Sequence, residues 1–111
     1  IEPATKIALK TVARWGSGPC AIVGSEIRLA APFAALVNGT AGHALDLDDN
    51  FDPPKAHATT VLAPALFALG EEINASGAAI IDAYPSLSWM ARHCHRWRFG
   101  GGGGLCTAFG A

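Results

Sequence analysis

Residues 31–49 read APFAALVNGTAGHALDLDD, and this stretch decides the fold. Alanine and leucine dominate it, both good helix formers, and Pro32 near its start suits a first helical turn, where a missing N–H costs little. The stretch predicts one helix from Ala31 to Leu47. Asn38-Gly39 in its middle is a potential breaker. The pair reads instead as small residues that let another helix approach closely. At its end the chain turns acidic, with Asp46, Asp48, Asp49 and Asp52 placing four carboxylates within seven positions.

The flanking segments predict an all-α, helical chain with a short β-hairpin near residues 20–29. Pro3 to Trp15 reads as a helix with Ile7, Val12 and Trp15 on one broad face, closed by Gly16-Ser17-Gly18-Pro19. Cys20–Val23 and Glu26–Leu29 are β-friendly runs around Gly24-Ser25, which predicts a two-residue type II′ turn. Downstream, an acidic loop from Asp48 to Lys55, stiffened by Pro53-Pro54, leads to an apolar helix over Thr60–Ile73. Pro64 fits that helix only in its first turn. Ser76 is the expected N-cap of a further helix, Gly77 to Tyr84. No internal repeat is present.

Beyond Tyr84 the chain changes character. Residues 1–84 carry a net −4, whereas residues 85–111 carry +3 from Arg92, Arg96 and Arg98 and contain no acid. The run Gly100–Gly104 maximises backbone entropy and offers nothing to bury. These differences divide the chain into a helical unit, 1–84, and a basic Gly-rich tail, 85–111, expected to be poorly ordered or ordered only by a partner.

With 111 residues, a net charge of −1 and half its residues hydrophobic, the chain has the composition of one small globular domain. A basic surface for nucleic acid is lacking, and no apolar run approaches the roughly 20 residues of a membrane helix. The start Ile1-Glu2-Pro3 is unlike a secretory leader, and the missing initiator Met points to residues before Ile1 that were removed or not cloned. Cys20, Cys94 and Cys106 are odd in number and show no repeating spacing, which suits a reducing compartment. Cytoplasm is the expected location.

Chemistry concentrates between His43 and His57. Crowded carboxylates bind a cation, hydrogen-bond to backbone or tune each other's proton affinity; a solvated acidic loop is the plain alternative. Asp46, Asp48, Asn50 and Asp52 alternate as in an EF-hand loop. Phe51, however, stands where Gly is needed and His57 where a bidentate Glu is needed, so a calcium loop fails. A divalent cation held by Asp46, Asp48 and Asp49 is a weaker possibility. His57, before an apolar helix, can act as a general acid or base near neutral pH, although a lone His is more often a surface residue. His43 fits a structural contact with Asp46, three residues on. His93-Cys94-His95 is too compact for a tetrahedral ion, and the glycine run lacks the Lys-Ser/Thr of a phosphate loop. No metal or cofactor site is expected.

The run Ala31–Asp49 closely resembles the signature of the MmgE/PrpD family, in which an AALxNG helix runs into HxLDxDD. His57–Leu66, Glu71-Glu72, Ser76-Gly77 and Ile80–Tyr84 resemble the motifs and helices that follow. Trp15–Leu29 is similar to the region upstream of the signature, so the resemblance covers about residues 1–84. It implies a piece of a large helical domain that is paired in the family with a smaller lid, usually in a homodimer. Members include 2-methylcitrate dehydratases, cis-aconitate decarboxylases and iminodisuccinate epimerases. All act as cofactor-independent lyases or isomerases on small polycarboxylates.

Carried over, the resemblance gives catalytic roles to Asp46 and His57 and a substrate-binding role to Asn50. Lys55 can add a positive charge for an anionic substrate. Some features depart from the family. Ala58 follows His57 in place of the usual Pro, Asn50 stands where some members have Thr, and the Asn50–His57 interval is one residue longer. Pro85–Gly104 leaves the family pattern, as though the reading frame were disturbed. Thr107–Ala111 is faintly similar to a second motif, with glycines where its His belongs. The expectation is a truncated or degenerate enzyme that is inactive alone; the alternative is a small helical module that self-associates.

Overall fold

A computed structural model describes the backbone of residues 2–50 and 57–99, and side chains as far as residue 88. Lys55, Asp52 and the glycine run lie outside the described residues. Helix α1, Pro3–Val12, passes into a 3-10 turn over Ala13–Trp15. Strands β1, Ser17–Ala21, and β2, Arg28–Leu29, pair antiparallel. Helices α2, Ala31–His43, α3, Ala58–Glu72, and α4, Gly77–Phe99, follow. The described residues are therefore mostly helical with one small hairpin, as the sequence predicts.

The face that α1 buries differs from expectation. Thr5 and Val12 are buried, with Ala8 and Leu9 packed beside them, while Ile7 is 67% and Trp15 58% exposed. At 100° per residue, Ile7 stands about 140° around the helix from Val12, too far to share its face. Trp15 instead lies against Phe33 of α2, with ring centroids 5.7 Å apart.

The hairpin also closes differently. The Ile22 N–H donates to Ile27 O at 3.0 Å and the Ser25 N–H to Ile22 O at 3.1 Å, so the loop holds Val23 to Glu26. Gly24 adopts φ +77, the left-handed conformation that a type II turn reserves for its third residue. A hairpin this short is marginal alone. Here Asn38 of α2 pins it, donating from Nδ2 to Ala21 O at 2.9 Å and accepting the Val23 N–H at 3.0 Å. The core lies beneath it: Val12, Cys20, Ile22 and Leu29 against Ala31, Ala34, Val37 and Ala68. The Cys20 thiol donates to Ala68 O at 3.1 Å. Burial, with Glu71 and Glu72 nearby, pushes its pKa up against the opposing effect of Arg28, so it stays a thiol.

Helix α2 ends at His43, short of the expected Leu47. The Asp46 N–H returns to His43 O at 3.0 Å and Asp46 takes φ +53, a left-handed turn that Asp tolerates better than most residues. Helix α3 begins at Ala58, earlier than expected, because the Asp49 carboxylate accepts the Thr59 N–H at 3.0 Å and caps its first turn. Pro64 consequently lies in the second turn, where sequence reasoning did not allow it. Its ring cannot serve the Thr60 carbonyl, and the Cα of Gly39 faces that oxygen instead. Gly39 thus does permit close packing of two helices, whereas Asn38 serves the hairpin.

A Schellman turn closes α3. Asn74 sits at φ +55, with Ala75 N–H bonded to Gly70 O at 2.8 Å. Ser76 then caps α4 through Oγ, which accepts the Ala79 N–H at 3.2 Å. Helix α4 runs to Phe99, through Pro85 and past the expected end at Tyr84.

Candidate functional site

The end of α2 and the start of α3 bring four titratable side chains together: His43, Asp46, Asp48 and His57. His43 occupies the last turn of α2, the left-handed turn carries Asp46, and His57 is the residue before α3. His57 Nε2 lies 4.0 Å from Asp46 Oδ1, so two of the residues singled out from the sequence do meet. Asp46 is 80% exposed at its side chain and His57 31%. Asn50 is exposed at the edge of the described loop.

Asp48, which the sequence offered only as one of three possible cation ligands and not as a catalytic or substrate-binding residue, is the centre of the group. Its side chain is 7% exposed. Oδ2 accepts the Thr60 hydroxyl at 2.8 Å, and Oδ1 lies 3.1 Å from His43 Nδ1. The His43 imidazole therefore bonds to the carboxylate of Asp48 and not to that of Asp46. His57 Nδ1 stands 3.2 Å from Asp48 Oδ2, off the line a hydrogen bond needs, and this buried nitrogen has no aligned partner. The two imidazoles pack with centroids 4.4 Å apart. Desolvation pushes the Asp48 carboxyl up. Hydrogen bonds from Thr60, His43 and its own backbone, with the charge of His57, outweigh this and hold it below the usual range.

Chemically, the cluster joins a partly exposed imidazole to one open and one anchored carboxylate, which suits proton transfer at its edge. Its ligand atoms lie within 4.8 Å of one another, a set that could also hold a divalent ion. Asp49 is committed to capping α3, so the cation set suggested by sequence, Asp46, Asp48 and Asp49, becomes one in which the imidazoles replace Asp49. Beyond Thr60, a cavity of about 740 Å³ runs along α2 and α3 between Asn38, Pro64, Phe67 and Ile80. None of the four clustered side chains lines it. At its edge the Thr59 and Tyr84 hydroxyls meet at 2.8 Å, tying α3 to α4.

The profile of the MmgE/PrpD N-terminal domain matches residues 2–85. Over 54 residues the chain is 39% identical to the cis-aconitate decarboxylase-like protein oryM of Aspergillus oryzae. That alignment takes in 49% of this chain and 11% of the fungal protein, so the chain matches only a small part of that relative's length. No solved structure matches.

Proposed function

Because this chain belongs to the MmgE/PrpD family, we propose that its acidic turn and His57 form one wall of a pocket for a small polycarboxylate. The parent activity is a cofactor-independent lyase or isomerase reaction. His57 moves a proton at a carbon next to a substrate carboxylate, Asp46 orients or polarises its partner, and Asn50 and Lys55 bind the anion. The observation that carries this reading is the approach of Asp46 to His57, 4.0 Å apart across the α2–α3 junction.

A wall this rich in carboxylates repels a polyanion, so cationic groups must come from elsewhere in the pocket. That need, with the small fraction of the fungal relative that is matched, supports a chain inactive by itself. The test is NMR titration of the chain with cis-aconitate, 2-methylcitrate or iminodisuccinate. Shifts centred on His57 and Asn50 and weakened in His57→Ala are expected, without turnover. Shifts confined to other surfaces would overturn the site, and turnover abolished by His57→Ala would overturn the inactivity.

Self-association is the second reading. Val61, Phe67 and Ile81 are 69%, 56% and 72% exposed on α3 and α4, apolar side chains that a second copy of the chain could cover. Sedimentation at several concentrations decides it, a strictly monomeric species counting against it. A melting temperature unmoved by calcium, magnesium or zinc would dispose of a cation site.

A further inference from the structure

We propose that Asp48 is the positioning residue for His57, holding the ring proton on Nδ1 and leaving Nε2 as the proton-accepting nitrogen. The inference rests on His57 being the proton-moving group of the site.

Asp48 and Asp46 are neighbours in sequence with opposite surroundings. The Asp48 side chain is 7% exposed and that of Asp46 80%. Asp48 is held from two sides, by the Thr60 hydroxyl at 2.8 Å and by His43 Nδ1 at 3.1 Å. A carboxylate offers about four lone-pair directions, so a third donor fits. Beside it, after His43 Nδ1, stands His57 Nδ1, at 3.2 Å from Oδ2 and buried without an aligned partner.

Electrostatics then selects the tautomer. With the proton on Nδ1, an N–H faces a carboxylate oxygen, and a small ring rotation completes the bond. With the proton on Nε2, the Nδ1 lone pair faces that oxygen at 3.2 Å, a repulsive arrangement in a desolvated spot. The His43 ring, its centroid 4.4 Å away, limits how far His57 can turn to escape. The Nε2 lone pair is left on the edge that meets exposed Asp46, where a substrate proton can be taken up. Imperfect alignment before substrate arrives is common among catalytic hydrogen bonds.

The test is a long-range ¹⁵N–¹H correlation spectrum of the 111-residue chain with labelled histidines, in mildly alkaline buffer. His57 is expected as the Nδ1–H tautomer, the form that free histidine in water disfavours. In Asp48→Ala it should revert to Nε2–H. A wild-type His57 protonated on Nε2, or an Nδ1–H form that persists in Asp48→Ala, would overturn the proposal. The wild-type spectrum decides by itself if the variant does not fold. No substrate is present, so failure of a polycarboxylate to bind would remove the pocket reading without altering this result.

Discussion

The Cα of Gly39 faces the backbone carbonyl of Thr60 so closely that a Cβ there would stand 2.9 Å from the oxygen. Thr60 O is the acceptor that Pro64 leaves unserved in α3, and a Cα–H···O contact from α2 suits it. Gly39→Ala sets two effects against each other. Alanine favours the helix by about 1 kcal/mol, whereas overpacking costs about 1–3 kcal/mol. The clash is with backbone, which cannot rotate aside, so a net loss of stability is expected as a lower urea midpoint. An unchanged midpoint would mean that the close approach costs no more than the helix preference of alanine returns.

Asp48 makes stability depend on acid. Its folded carboxyl titrates below the ordinary value of 3.8, desolvation being outweighed by Thr60, His43, backbone and His57. A depressed folded pKa contributes stability that is complete above the unfolded value and lost as pH falls through the folded one. Asp48→Asn cannot titrate there. The gap in melting temperature between the wild type and this variant should shrink as pH falls below 3.8. A gap independent of pH would show that Asp48 is not held as an anion.

Asp49 acts through geometry instead. Its carboxylate accepts the Thr59 N–H at 3.0 Å, serving a free donor in the first turn of α3 as a cap side chain does, although the N-cap residue is His57. Asp49→Ala should cost about 1 kcal/mol in chemical denaturation, and Asp49→Asn much less, since Asn caps as well as Asp. Equal losses in the two variants would point to charge and not to capping.

Asn38 ties the hairpin to α2 with one donor and one acceptor, to Ala21 O and Val23 N. Asn38→Ala leaves both backbone groups without that partner, at a cost of about 1–2 kcal/mol. Amide exchange should rise at Val23 before it rises in α2. Uniform exchange across both elements would mean that they open as one unit.

Much of the fold was legible because helix signals are local. Pro32 at the start of α2, the alanine-rich run after it and Ser76 before α4 all act within a turn or two of themselves. The errors fell where a partner distant in sequence intervenes. Asp49 starts α3 early by reaching Thr59, and Pro64 is tolerated inside α3 with Gly39 of another helix facing the freed carbonyl. Asp48 carried no signal separating it from the other acids of its motif. Its distinction is a hydroxyl at Thr60 and an imidazole at His43, which spacing does not disclose.

Sequence alone determined the helical class, the hairpin, the family and the segment where chemistry gathers, because propensities, turn residues and ordered motifs are properties of short stretches. Only the tertiary structure decided which carboxylate is buried and which lies open. Burial and hydrogen bonding depend on what packs against a residue from across the fold, and the α2–α3 crossing places Thr60 and both imidazoles around Asp48 while leaving Asp46 in water.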